Sequence, residues 1–306
     1  MPYMASMALP IVHHPQYNVE LSRNRRFPSG KFRRLAEIVE AERLAGPGGF
    51  QTPAPVAPDN LARAHERAYV DQVMACRVPE RIEKEIGFPI HDRLVFRARC
   101  AAGGTLLAGH LALKHGVACN TAGGGHHARR RHGAGFCVFN DVAIAVLALQ
   151  AADAIERALI VDCDVHQGDG TADVFASDPA VFTFSIHAEK NYPVRKVASD
   201  LDIGLPDATA DEAYLDTLAA TLPAVIDRHR PDILFFNAGV DPHRDDDLGR
   251  LALSDAGLRE RERRVIGTAR DCGLPVACVV SGGYSKDIET LAQRHAGLYR
   301  VAAAFT

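Results

Sequence analysis

Short apolar runs rich in β-branched and aromatic residues recur along the chain, and longer segments with helical periodicity separate them. The clearest runs are Ala158–Val161, Val181–Ile186, Ile233–Phe236 and Val276–Val280, and weaker ones are Gly116–Asn120 and Ile11–His13. A continuous apolar run of this kind is typical of a strand that is buried on both faces. Strands that alternate with helices in this way predict an α/β fold built on a central parallel sheet.

Helical stripes occur between these runs. Asn140, a favoured N-cap residue, precedes apolar residues at i, i+3, i+4 and i+7 spacing over 142–149. A second stripe covers 214–226, where Pro223 predicts a kink or a restart of the helix. A third stripe follows Ser254, which is also a capping residue type.

The chain has the size and composition of a folded α/β protein. Its 306 residues are 47% hydrophobic and 24% charged, which is ordinary for a globular protein. No internal repeat divides it, and its Pro/Gly-rich segment 46–58 lies too near the N-terminus to separate two full domains. We therefore expect one domain over residues 1–306.

Charge, hydropathy and cysteine spacing argue against a nucleic-acid-binding, membrane-spanning, secreted or disulfide-bonded protein. The 35 basic and 38 acidic residues give a net charge of -3, so direct nucleic-acid binding is not expected. No apolar run reaches the roughly 18 residues of a membrane span, and the N-terminus lacks a basic signal region. The seven cysteines show no CxxC spacing, which argues against a disulfide framework or a cysteine zinc site. A cytoplasmic protein of unknown oligomeric state is the expectation.

Polar side chains follow the predicted strands, and parallel sheets bind ligands at that edge. Asp162, Asp164, His166 and Asp169 surround a Gly-rich turn directly after the run 158–161. In extended backbone, Asp164 and His166 share one side, which is typical of half of a metal site. A solvated Asp/Gly turn is the alternative interpretation.

Three other loops carry candidate functional groups. His126 and His127 follow three glycines, and imidazoles suit acid–base catalysis near neutral pH, although such a pair also occurs in ordinary loops. Asp241 follows a predicted strand, ahead of an acidic run at 245–247 that we interpret as a solvated loop. Tyr284 follows two glycines, and its phenol suits oxyanion stabilisation, although most tyrosines only anchor a loop.

Together these loops supply the parts of a metal-dependent hydrolase. Asp164, His166 and Asp241 match the three protein ligands of a catalytic metal, and both zinc and ferrous iron accept such a set. Asp162 and Asp169 remain to accept hydrogen bonds from histidine rings. The set predicts metal-assisted hydrolysis of an acyl bond.

Five segments also resemble signatures of the histone deacetylase superfamily, which includes acetoin-utilisation proteins and acetylpolyamine amidohydrolases. They are GGGHHARRRHGAGFCVFND (123–141), DCDVHQGDG (162–170), TFSIH (183–187), NAGVD (237–241) and SGGY (281–284). Their order is that of the family, and the resemblance spans roughly residues 10–300. It implies a single-domain arginase–deacetylase fold, a central parallel sheet flanked by helices. Gln167 and the serine before GGY are similar to class IV-like bacterial members, and Lys31 stands where many relatives keep an arginine near a product-exit channel.

The resemblance implies four groups of functional residues. The zinc ligands, which also suit Fe²⁺, are Asp164, His166 and Asp241. The catalytic groups are Tyr284, which polarises the scissile carbonyl, and the acid–base histidines His126 and His127, paired with Asp162 and Asp169. The tunnel for the acyl-lysine is lined by Gly135, Phe136, Tyr192 and Leu248. A structural K⁺ site involves Asp162, Asp164, His166, Ser185 and Ile186.

The resulting prediction is a zinc-dependent amidohydrolase that removes an acetyl or longer acyl group from the ε-amine of lysine or a related amine. Three alternatives stay open. An acidic mouth formed by Asp245–Asp247 would favour acetylpolyamines or small acyl-amines. A non-catalytic acyl-lysine binding module would have no use for a full catalytic set. A binuclear arginase-like hydrolase would need more bridging carboxylates.

Overall fold

A parallel sheet of seven strands forms the centre of the protein in the computed structural model, which describes residues 8–19 and 26–306. The strands are β1 (Ile11–Val12), β2 (Val117–Asn120), β3 (Ala158–Asp162), β4 (Val181–Ala188), β5 (Leu201–Leu205), β6 (Ile233–Ala238) and β7 (Val276–Val280). Their order across the sheet is β1-β2-β7-β6-β3-β4-β5, and every pairing is parallel. The predicted parallel α/β fold is confirmed.

Helices cover both faces of this sheet. They are α1 (Gly30–Ala41), α2 (Pro58–Ala64), α3 (Arg67–Met74), α4 (Glu80–Ile86), α5 (Asp92–His115), α6 (Asp141–Ala151), α7 (Asp169–Phe175), α8 (Asp211–His229), α9 (Asp255–Asp271) and α10 (Ile288–Ala302). Strand side chains alternate between two apolar cores. In β3, Leu159 and Val161 pack with α1, α8, α9 and α10, while Ala158 and Ile160 pack with the helices from α2 to α7. Within the described ranges, no helix has the length and apolar character needed to cross a bilayer.

Several local predictions are confirmed and others are wrong. The side chains of Asn140 and Ser254 cap α6 and α9 by accepting hydrogen bonds from backbone N–H groups at 3.0 Å. The helix α8 runs without interruption through Pro223, so the alternative of a restart is wrong, while the kink stays a prediction; the stripe from Leu218 to Ile226 packs into the core on both sides of the proline. The sequence analysis missed β5 and seven helices, α1 to α5, α7 and α10.

The topology brings the four candidate loops to one edge of the sheet. The strands β2, β7, β6 and β3 are neighbours in that order. Their carboxyl ends lead into the segments 121–127, 281–284, 239–241 and 163–170, respectively. Because all four strands point the same way, the loops that follow them meet above the same edge.

Candidate active site

Asp164, His166 and Asp241 form a compact cluster of potential metal ligands. Nδ1 of His166 lies 3.0 Å from Oδ1 of Asp164 and 3.2 Å from Oδ2 of Asp241. All three residues are buried, and their ligand atoms lie within 4.8 Å of one another. Among residues 8–19 and 26–306, no other group of three or more such side chains converges in this way.

The hydrogen bonds of Asp241 indicate that the cluster suits a cation. Oδ1 of Asp241 accepts a 2.9 Å hydrogen bond from the backbone N–H of Val165. Its Oδ2 is buried and has no hydrogen-bond partner in the described structure. Burial, together with the neighbouring Asp164 carboxylate, raises the pKa of Asp241 to about 7. The His166 ring nitrogen lies close to this Oδ2, but a buried carboxylate oxygen without a hydrogen bond is costly, so a divalent cation would satisfy it.

The backbone at Gly282 lies directly against these ligands. A Cβ atom at this position would collide with carboxylate oxygens of both Asp241 and Asp164. Glycine is therefore required for the loop after β7 to approach the cluster so closely. This close approach brings Tyr284 to the same site.

His126 and His127 each pair with a buried carboxylate. The Nδ1–H of His126 donates to Asp162 at 2.7 Å, and the Nδ1–H of His127 donates to Asp169 at 2.6 Å. These bonds leave Nε2 of each ring to face the site, and Nε2 of His126 lies 3.8 Å from Oδ1 of Asp164. The structure thus brings together the histidine–aspartate pairs that the motifs predicted, while their catalytic roles stay predictions.

The surroundings shift the pKa values of His126 and His127 in opposite directions. Burial alone would lower the pKa of His126, but the Asp162 and Asp164 carboxylates outweigh it and raise the pKa to about 9. Burial and the neighbouring His126 lower the pKa of His127 to about 4. The rings therefore favour different protonation states, and a cation at the cluster would lower both pKa values by repelling the imidazolium forms.

Tyr284 lies in the site with an unengaged hydroxyl. Its ring is 9% exposed, and its centroid lies 6.2 Å from that of His166. No group in the described part of the chain hydrogen-bonds its hydroxyl, whereas its backbone N–H donates to Asp246 at 2.7 Å. Burial and the nearby carboxylates raise the pKa of Tyr284 well above its usual value, so the phenol stays protonated and is able to donate.

Asp246 is a structural residue that the sequence analysis assigned wrongly. It does not belong to a solvated run, because its carboxylate accepts hydrogen bonds from the backbone N–H groups of Tyr284, Leu248 and Gly249. Its neighbour Asp245 lies 3.2 Å from Arg294. An Asp-Asp-Asp run contains no signal that tells which carboxylate turns inward. The inward turn of Asp246 weakens the case for an acidic mouth.

Three further residues near the site are not among the predicted catalytic, metal, tunnel or K⁺ residues. Asp141, the first residue of α6, accepts hydrogen bonds from Gly125 N–H at 2.6 Å and from the Thr105 hydroxyl, and so fixes the loop before His126. Gln167 donates to the Val197 carbonyl and to Asp202, so it faces the β5 side. The third is Lys31, whose Nζ donates to the carbonyls of Ser281 and Gly283.

The predicted tunnel residues surround this cluster. Gly135 has a φ of +53°, and a Cβ atom there would meet the His127 ring. The Tyr192 ring lies edge-on to His127 with centroids 4.8 Å apart, and it is 41% exposed. The Phe136 ring centroid lies 5.9 Å from that of Tyr284. The fourth residue, Leu248, accepts a backbone hydrogen bond from the Asn191 side chain, next to Tyr192.

The residues predicted to bind K⁺ lie at the end of β3, in the loop that follows it, and in the second half of β4. Asp162 pairs in register with Ser185, and Ile186 follows in the same strand. Oδ1 of Asp162 accepts hydrogen bonds from Asp164 N–H and from the Asn237 side chain. Potassium binding stays a prediction.

A small, partly open cavity adjoins the cluster. Its volume is about 60 Å³, and Lys31, His126, Asp164 and Tyr284 are among its lining residues. Burial lowers the pKa of Lys31 to about 8, although Asp241 and Asp164 oppose this effect. Lys31 therefore lines a cavity at this site, and its place in an exit channel stays a prediction.

Sequence comparison decides the family. A sequence profile described as "Histone deacetylase domain" matches residues 26–299. The chain belongs to the histone deacetylase family. This protein is therefore a hydrolase of the deacetylase type, as the motifs predicted.

Similar proteins cover nearly the whole of this deacetylase. An uncharacterized protein of Picosynechococcus sp. is 45% identical over 298 residues, which are 97% of this chain and 99% of that protein. A "Probable deacetylase" of Methanothermobacter thermautotrophicus is 30% identical over 292 residues, covering 90% of this chain and 86% of that protein. The crystal structure of the HDA15 HD domain matches 98% of this chain and 89% of its own with a TM-score of 0.82 and 22% identity, which shows a shared fold.

Proposed function

We propose that this family member is a zinc-dependent amidohydrolase that removes an acetyl or longer acyl group from the ε-amine of lysine or a related amine. One observation supports it above all others. Two carboxylates and an imidazole converge at a buried point where an oxygen of Asp241 has no hydrogen-bond partner among the described residues, next to two histidine–aspartate pairs. This donor set fits zinc, and it also accepts Fe²⁺.

Asp164, His166 and Asp241 would hold the metal, and a bound zinc ion supplies Lewis-acid polarisation of the acyl carbonyl and acidifies a water. The protein's own groups then manage protons and geometry. One histidine of the pair accepts a proton from the attacking water, and a histidine of the pair returns a proton to the leaving amine. The lowered pKa of His127 keeps its ring neutral, as a proton acceptor must be. Asp162 and Asp169 hold the rings in the orientation in which Nε2 faces the substrate. Tyr284 donates a hydrogen bond to the developing oxyanion.

The surroundings of the site favour an acyl-lysine substrate. Gly135 and Phe136 on one side and Tyr192 on the other would flank an extended aliphatic stem, with Leu248 as a further wall. Asp246 accepts backbone hydrogen bonds, so the mouth offers less negative charge for a polyamine than the sequence suggested. One group of three converging ligands favours one catalytic metal over an arginase-like pair. We also propose that residues 1–306 act as one catalytic domain and that K⁺ binds beside Asp162.

A kinetic panel tests this proposal. Purified protein loaded with Zn²⁺ is assayed on an acetyl-lysine peptide, a long-chain acyl-lysine peptide and an acetylpolyamine. We expect release of free lysine amine, with kcat/KM lowest for the acetylpolyamine, and loss of activity on chelation. His110→Gln, which changes an exposed histidine of α5, is the matched control and should retain wild-type activity. Binding without turnover on every acyl-lysine would contradict the proposal.

A further inference from the structure

Ser281 contacts a proposed metal ligand that is distant in the sequence. Its hydroxyl donates a 2.6 Å hydrogen bond to Oδ2 of Asp164, which lies 117 residues away. The backbone N–H of Gly282 donates to the same oxygen at 2.7 Å. Both donors are buried. Two short hydrogen bonds from buried donors fix the orientation of a carboxylate and occupy one of its oxygens.

Because Ser281 and Gly282 both hold Oδ2, Oδ1 is the Asp164 oxygen that faces the ligand cluster, where it also accepts a 3.0 Å hydrogen bond from the backbone N–H of His166. Oδ1 of Asp164 lies 3.0 Å from Nδ1 of His166, on the side where the three ligand atoms converge. Asp241 has a matching arrangement, because Val165 N–H occupies its Oδ1 and leaves Oδ2 for the cluster. Binding through one oxygen each keeps the number of protein ligands at three, so that open positions remain.

The same loop is held from its other side by Lys31. The buried Nζ of Lys31 donates to the carbonyls of Ser281 at 2.9 Å and of Gly283 at 3.3 Å. Ser281 therefore contacts Lys31 through its carbonyl and Asp164 through its hydroxyl. The loop that leads to Tyr284 is thus tied directly to a carboxylate of the cluster.

We propose that Ser281 is a positioning residue of the metal centre, whose hydroxyl restricts Asp164 to one metal-facing oxygen and ties the Tyr284 loop to that ligand. This inference rests on the proposed function, because it takes Asp164 as a ligand. It goes further by assigning metal affinity and coordination number to a side chain that itself binds neither metal nor substrate.

Metal affinity is the first test. Ser281→Ala removes the hydroxyl and almost no volume. Ser285→Ala is the matched control, since it removes a hydroxyl from the same loop that accepts a hydrogen bond from Asp287 N–H. Competition with a chelator measures Zn²⁺ affinity of each full-length protein. We expect Ser281→Ala to bind Zn²⁺ about 10–100-fold more weakly than wild type, as loss of an outer-shell partner does, and Ser285→Ala to match wild type.

Coordination number is the second test, and a merely structural role would not change it. Four-coordinate Co²⁺ absorbs visible light more strongly than five- or six-coordinate Co²⁺. We expect Co²⁺-loaded Ser281→Ala to absorb more weakly than wild type, because Asp164 becomes able to bind through both oxygens. Ser281→Cys, which keeps only a weak donor, should fall between the two and provides the test if Ser281→Ala does not fold.

The outcomes separate the two proposals. Unchanged Zn²⁺ affinity and unchanged Co²⁺ spectra in the Ser281 variants would overturn this inference and leave the proposed function intact. A wild-type protein that binds neither Zn²⁺ nor Co²⁺ would overturn the proposed function itself.

Discussion

Oδ2 of Asp241 illustrates how a single atom decides the chemistry of this site. It is buried without a hydrogen-bond partner, 3.2 Å from the His166 ring nitrogen. Asp241→Asn keeps the size of the side chain and an oxygen that can still accept from Val165 N–H, but it places an amide NH₂ group toward the metal. We expect Zn²⁺ affinity to fall by more than the roughly 10–100-fold typical of an outer-shell loss. Elemental analysis after dialysis measures this, and full zinc occupancy in a folded variant would refute the ligand assignment.

The Tyr284 hydroxyl gives a second prediction at the scale of one atom. Tyr284→Phe keeps the ring contacts with Phe136 and His166 and removes only the donor. If this donor meets the oxyanion, kcat should fall about 10²–10³-fold, with little change in metal content or thermal stability. KM should change less than kcat, because the hydrogen bond strengthens in the transition state. Steady-state kinetics on an acetyl-lysine peptide measure kcat and KM of this variant. A near-normal kcat would show that the ring only anchors its loop.

At the scale of the elements, His65 connects the end of α2 to the catalytic loop and to α6. Nδ1 of its ring lies 2.8 Å from the carbonyl oxygen of Arg129, and Nε2 accepts a hydrogen bond from the backbone N–H of Asn140. Burial lowers its pKa from 6.5 to about 4, although the bond to Arg129 opposes this. The folded protein therefore keeps this ring neutral at pH values where the unfolded chain binds a proton.

This linkage predicts a loss of stability in mild acid. The neutral His65 ring contributes to the free energy of unfolding above pH 6.5, and this contribution is lost as the pH falls from 6.5 toward 4. The loss amounts to about 2 kcal/mol between pH 7 and pH 5. In His65→Gln, we expect the difference in unfolding free energy between these two pH values to shrink by that amount. Urea titrations measure it, with the exposed His110→Gln as control. An unchanged pH dependence in His65→Gln would refute the linkage.

The elements that the sequence predicted are those with a strong local pattern. The buried strands β3, β4, β6 and β7 appear as continuous apolar runs because helices cover both of their faces. The strand β5 lies at the sheet edge, where exposure alternates and Asp202 and Gly204 interrupt the apolar pattern. Its pairing with β4 is a long-range contact without a local signal.

The residues of the candidate site also divide into those that the sequence could identify and those that it could not. Residues that lie next to a strand end, such as Asp164 and Asp241, could be selected from the sequence because the topology of a parallel sheet places them together. The contacts of Asp246 and Lys31 could not be predicted in this way, since both residues reach the backbone of the loop 281–284, which is distant in the sequence. Only the folded chain shows which member of an acidic run accepts those hydrogen bonds.

At the scale of the whole molecule, a bound metal would join the loops after β3 and β6, two neighbouring strands at the middle of the sheet. It would also relieve the repulsion between two buried carboxylates. A ligand that binds only the folded state stabilises it by about 2.7 kcal/mol at a hundred times its Kd. We therefore expect chelation to lower the Tm of the purified protein by several degrees, and added Zn²⁺ to restore it.

Two controls test whether the Tm shift comes from Zn²⁺ bound at this site. Mg²⁺ prefers six oxygen ligands in octahedral geometry and should restore little of the Tm. Asp241→Asn should show almost no Zn²⁺-dependent shift, whereas zinc bound elsewhere, for example at the seven free cysteines, would shift both proteins equally. Differential scanning calorimetry of both proteins without added ion, with Zn²⁺ and with Mg²⁺ measures the six Tm values. Equal shifts in wild type and Asp241→Asn would mean that the stabilising ion does not bind between β3 and β6, because only that position depends on the Asp241 carboxylate.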